Sequence, residues 1–149
     1  MHRLKSYRAA GFSLIELLVV IAIILIIMGM AVPPLANARM QALETGAQKA
    51  IITIHTAQAQ YQSQYGRYAS TLAELGPPTG LISRGLASGV KGGYKFRLQQ
   101  TEQGYAINAD PVTFKTTGRL TFYSDQSLII HQNPTAEPAT ADSPEVDPK

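Results

Sequence analysis

From Leu17 to Val32 the chain runs sixteen residues without a charge or a strongly polar side chain. Extending back to Phe12 gives 21 residues, broken by Ser13 and Glu16. As a helix at 1.5 Å per residue that is about 30 Å, the hydrocarbon thickness of a bilayer. Ile, Val and Leu dominate the stretch and would also suit a strand, but strands usually run about 4–8 residues. A buried core helix needs a protein around it, and the rest of the 149 residues is too small and polar for that. The stretch therefore reads as a membrane-inserted helix.

Charge placement orients it. Arg3, Lys5 and Arg8 precede the helix with no acid among the first eleven residues, and only Arg39 follows closely. The positive-inside rule puts the N-terminus in the cytoplasm and the bulk of the chain outside it. The formal charge of +3 and the pI of about 9.3 come from these eleven residues. Ten basic and ten acidic residues remain after them, so no nucleic-acid partner is indicated. There is no cysteine, which excludes disulfides, thiolate metal sites and a Cys nucleophile. No P-loop, nucleophile elbow, zinc-protease or dinucleotide motif is present, and His2, His55 and His131 are scattered. Nothing points to an enzyme.

Two processing routes fit the N-terminus. A secretory signal peptide would use the small-residue pattern Ala36-Asn37-Ala38 and release a soluble binding domain after Ala38. Its apolar region is longer than the usual ~7–15 residues and holds an acid near its start. The other route takes Gly11-Phe12-Ser13-Leu14-Ile15-Glu16 as a unit, with a basic leader ending in Gly11 and a Glu four residues beyond Phe12. This string, GFSLIELLVVIAIILI in full, resembles the class III leader of type IV pilins and of the pseudopilins of type II secretion.

The resemblance implies a specific history. A prepilin peptidase cuts between Gly11 and Phe12 on the cytoplasmic side and N-methylates Phe12. Glu16 then becomes the fifth residue of the mature chain. In the filament its carboxylate would pair with the Phe12 amine of a neighbouring subunit and set the axial register. The residues themselves are consistent with this. A carboxylate near a helix N-terminus suits the macrodipole. Charge within a membrane costs about 2.5–3.5 kcal/mol, which a cationic partner offsets. The implied partners are other pilin or pseudopilin subunits in a homo-oligomeric filament, the prepilin peptidase, an inner-membrane assembly platform, and lipid before assembly. The implied location is the bacterial inner membrane, single pass, with the head periplasmic until the subunit joins the filament. A separate ATPase would supply the energy.

Gly29, Pro33 and Pro34 predict a kink or an unwound segment, since Pro removes a backbone donor and crowds the preceding turn. Pilins resemble this, with a helix-breaking proline at the position of Pro33. Beyond it Met40, Leu43, Ala47, Ala50, Ile54, Ala57, Tyr61, Tyr65 and Tyr68 recur at steps of three and four, an amphipathic stripe. Gln41, Glu44, Gln48, Gln58 and Gln62 fall off it, and His55 sits beside it with no partner for a metal site. One helix from Phe12 to about Tyr65 would be on the order of 80 Å long. The run Tyr65-Gly66-Arg67-Tyr68-Ala69 followed by Leu72 and Leu75 looks like the end of that helix in the same family, with Ala69 where Pro is usual.

The expected fold is α+β and pilin-like. Residues 1–11 are the leader, 12–35 the membrane and filament-core helix, and 36–132 the head. In the head an amphipathic helix to about 68 and a loop over 76–93 precede a small antiparallel sheet of three or four strands over 93–132. Period-two runs at Tyr94–Leu98 and Tyr105–Ala109, then Leu120–Tyr123 and Leu128–His131, supply the strands. Residues 133–149 carry four prolines, four acids and no aromatic, and predict a disordered acidic tail. The resemblance also raises calcium, which major pseudopilins often bind through a C-terminal loop; Asp110 and Asp125 are the acids near a turn here, although two acids without a ligand loop make a poor site. No other cofactor is indicated. The short head, the GRYASTLAEL run and the absence of a disulfide loop lean toward a pseudopilin.

Overall fold

The computed structural model describes the backbone of residues 11–146 and, apart from residues 31–34, their side chains. The leader residues before Gly11 and the last three residues lie outside it. The element order is α1 (Leu14–Tyr65), α2 (Leu72–Leu75), α3 (Arg84–Ala87), β1 (Val90–Lys91), β2 (Tyr94–Thr101), β3 (Gly104–Pro111), β4 (Thr121–Asp125) and β5 (Ile130–Asn133). Two compact units divide between Asn37 and Ala38.

In the first unit the described side chains from Phe12 to Met30 are exposed, large Leu, Ile, Val and Met residues among them. An apolar surface of that extent is not left in water. Helical backbone is continuous across Gly29, Pro33 and Pro34, so the unwound segment expected there is absent. Each proline deletes one donor from the ladder without ending the helix.

In the second unit the five strands form one antiparallel sheet in sequence order, β1 to β5. Phe96 pairs with Ala109 and Leu98 with Ile107 across β2 and β3, and Ala109 pairs with Phe122 across β3 and β4. The helix segment from Ala47 to Tyr61 shares a core with this sheet, through Ile51, Ile54 and Ala57 against Tyr94, Phe96, Ile107 and Phe122. A sheet with one apolar face needs such a cover.

The sheet has one strand more than the sequence predicted. β1 is only two residues long, too short to leave a period-two signal, and with α3 it fills what was expected to be loop. Tyr65, assigned to the buried stripe, is 54% exposed and rests against the Tyr61 ring. Gly66 adopts φ +71° directly after α1, the left-handed conformation that ends helices.

Two residues placed off the stripe are buried. Gln58 is fully enclosed because its amide clasps the Ala69 backbone: Oε1 accepts from Ala69 N–H at 2.8 Å and Nε2 donates to Ala69 C=O at 3.0 Å. A proline at position 69 could not give that N–H, which accounts for the alanine. Glu44 is buried with Oε1 accepting from the Arg119 backbone N–H at 2.7 Å.

The tail expectation is also corrected up to Val146. Gln132 N–H donates to Pro144 C=O, and Val146 N–H donates to Ile130 C=O, so the segment pairs with the outer edge of β5. Ala139 is buried, the Asn108 amide donates to its carbonyl, and Thr121 Oγ1 donates to Glu137 C=O. The prolines do not oppose this, because the segment uses mainly carbonyl acceptors. The rest of the tail lies outside the described residues.

Candidate functional site: the helix N-terminus and the buried head network

The site singled out by the sequence lies at the start of α1. Ser13 is its N-cap: Ser13 Oγ accepts from Glu16 N–H at 3.2 Å, and Ser13 C=O accepts from Leu17 N–H at 3.2 Å. Ser13 and Glu16 thus have the spacing of a capping box. The sequence carries this signal as Ser-x-x-Glu ahead of an apolar run. Phe12 lies immediately before the cap, 84% exposed. Gly11 is open, with nothing within 4 Å of where a Cβ would stand.

Residues 6–32 match the family model described as the prokaryotic N-terminal methylation motif. This is a class III prepilin leader. No curated protein matches the chain. The prepilin match covers the leader and the first part of α1, and the long helix followed by an antiparallel sheet gives the pilin-like α+β architecture. The motif is of the kind that type IV pilin-like subunits carry at the segment a peptidase processes. An exposed apolar helix behind such a leader fits a membrane-anchored prepilin.

The second unit contains a polar network that the sequence did not reveal. His55, on α1, is buried between Tyr105 of β3 and Ser124 of β4. Its Nδ1 lies 2.7 Å from the Tyr105 hydroxyl and its Nε2 lies 2.8 Å from Ser124 Oγ. Ser124 Oγ donates its one proton to Ile129 C=O at 2.6 Å. It must therefore accept from His55 Nε2–H, which leaves Nδ1 to accept from Tyr105 O–H. Neutral imidazole satisfies every group in this chain, whereas imidazolium would leave the Tyr105 proton without an acceptor. His55, Tyr105 and Ser124 are 50 and 69 residues apart, so no local motif could announce them.

Burial lowers the His55 pKa from its ordinary 6.5, and Asp125 opposes this only in part. The sign follows. Below pH 6.5 the unfolded chain binds a proton that the folded head refuses. Stability is therefore complete above 6.5 and declines as the pH falls toward the folded value. The slope contributed is up to about 1.4 kcal/mol per pH unit. Urea unfolding of the full chain in detergent between pH 7.5 and 5.5 should show it. His55→Leu should flatten that slope while costing roughly 1–3 kcal/mol at pH 7.5, because the Tyr105 hydroxyl loses its acceptor. An unchanged slope in His55→Leu would assign the acid sensitivity elsewhere.

Asp110 and Asp125 are not brought together. Asp110 sits opposite Lys95 near the end of β3 and pairs with Arg97, while Asp125 sits opposite Ala106, four residues away along the same strand. Asp125 Oδ1 accepts from Ser127 N–H at 2.8 Å and Oδ2 from Tyr123 O–H at 3.4 Å. Among the described residues no three His, Asp or Glu side chains gather to hold a metal ion.

Proposed function

We propose that this chain is a structural subunit of a type IV filament, nearer to a type II secretion pseudopilin than to a pilus subunit. The observation that carries the reading is the methylation motif over residues 6–32, set on a capped helix whose apolar face has no cover of its own. The precursor enters the inner membrane with its N-terminus cytoplasmic and its head outside. Peptidase removes residues 1–11 and methylates the Phe12 amine. Assembly packs the apolar helices together, and Glu16 of one subunit pairs with the Phe12 amine of the next. The pseudopilin preference rests on the GRYASTLAEL run and on the absence of a disulfide loop from this sequence.

The N-terminal mass of the protein from cells that carry a prepilin peptidase tests the pathway. The expected terminus is N-methyl-Phe12. A terminus at Arg39 would mean that the apolar segment acted as a secretory signal, and the filament reading would fall. Gly11→Glu should retain the leader and so accumulate the uncut precursor.

A further inference from the structure

The charges of the head are sorted by sequence and by sheet edge. From Leu75 to Thr101 the chain holds Arg84, Lys91, Lys95 and Arg97 and no acid. From Leu120 to Val146 it holds Asp125, Glu137, Asp142 and Glu145 and no Lys or Arg. The first segment supplies α3, β1 and β2; the second supplies β4, β5 and the strap paired with β5. Strand order places β1 and β5 at opposite edges of the sheet. Arg97 is matched within the head by Asp110. Among the described residues Arg84, Lys91, Lys95, Glu137, Asp142 and Glu145 enter no ion pair.

Lys91 on β1 and the strap acids beyond β5 cannot neutralise each other within one head. With strands about 4.8 Å apart, the outer strands of a five-stranded sheet are separated by about 19 Å, roughly twice the screening length at physiological salt. Each edge also presents apolar surface beside its charges. Val90 on β1 is 50% exposed next to Lys91. At the other edge Leu128 and Ile129 stand exposed over an open groove of about 910 Å³ that Ile52, Glu145 and Val146 help to line. The backbone of β5 is already bonded to the strap, so this edge offers side chains rather than a free strand.

We propose that the β1–β2 edge of one head docks on the β5–strap edge of a second copy, with Val90 toward the groove and Lys91 and Lys95 facing Glu145 and Glu137. The charges identify the occupant. One molecule carries both halves of the complement, and the chain after Gly11 has no net charge to attract an unlike partner. Two different edges meeting make a heterologous contact, which propagates instead of closing as a dimer. The proposal rests on the filament reading and gives that filament a head-to-head register beside its helical core.

The absence of cysteine makes the test direct. Ser88→Cys and Ala141→Cys, one exposed position at each edge with every charge retained, are placed in the full-length chain. The protein is treated in its own membranes with a short bismaleimide. The expected product of the double-cysteine chain is a ladder of dimers, trimers and longer species; neither single-cysteine chain alone gives a product, and the two co-expressed stop at dimer. Adding Lys91→Glu and Lys95→Glu should lower the ladder about tenfold, as should Glu137→Lys and Glu145→Lys, and combining all four should return it to within about twofold. No ladder, a ladder indifferent to the reversals, or four reversals no better than two would each overturn the edge pairing. The N-terminal mass of the same samples judges the filament reading separately. Methyl-Phe12 without a ladder removes the pairing alone, and a ladder on uncut chain removes the pathway alone.

Discussion

Glu16→Gln should be cut at Gly11, methylated at Phe12 and held in the membrane, yet fail to enter filaments. The choice of glutamine decides between two roles. The capping-box position accepts Gln as readily as Glu, and the hydrogen bond seen at this helix end runs from Glu16 N–H to Ser13 Oγ, which the substitution does not touch. The helix start is therefore kept and only the charge is removed. If Glu16 serves the cap and the helix dipole, the variant loses at most about 1 kcal/mol and assembles. If its carboxylate neutralises a neighbour's amine inside an apolar bundle, removing it strands that cation, at about 3–5 kcal/mol per contact. That difference is a fall of at least about thirtyfold in assembled subunit per contact. Sheared-filament yield set against membrane-retained mature subunit measures it. Normal filaments from Glu16→Gln would end the charge-pairing role.

What could be seen in the sequence was what local pattern encodes. The membrane half of α1 is a run of composition, and its head half is a run of period, so both were legible from Phe12 to Tyr65. β2 and β3 alternate strictly enough to be placed at Tyr94 and Tyr105. What was missed depends on contacts between distant segments. Gln58 and Glu44 looked like solvent-facing polar residues because nothing local shows that Ala69 and Arg119 bring backbone N–H groups to meet them. The strap was hidden for the opposite reason. Its prolines and acids match the composition of disordered chain, but bonding to the β5 edge depends on where backbone groups fall, not on hydrophobicity. The methylation motif over residues 6–32 was legible, since a processing signal must be recognised as a linear string. The His55 network was not, since a buried polar chain is defined only by the fold that encloses it.

The largest single effect in the head should come from its smallest residue. At Gly118 an added methyl carbon would overlap Tyr94 Oη and lie 2.7 Å from Cζ. The Tyr94 ring has little room to move. It is fully buried, stacks on Phe122 at 5.9 Å between centroids, and donates from its hydroxyl to Leu120 C=O at 2.9 Å. Gly118→Ala should therefore cost about 3 kcal/mol or more, out of the ~5–15 kcal/mol typical of a whole domain. Tyr94→Phe removes the nearest clashing atom and leaves Leu120 C=O without its donor, at about 1 kcal/mol by itself. The double variant should be more stable than the sum of the two losses, with a coupling of at least about 1 kcal/mol. Urea midpoints of the four chains give the cycle, and additivity within ~0.5 kcal/mol would show that Gly118 does not hold this space for Tyr94. Because residues 6–32 carry the processing motif, Gly118→Ala should still mature to methyl-Phe12 while its head becomes protease-sensitive. Loss of processing in that variant would instead make a folded head a condition of maturation.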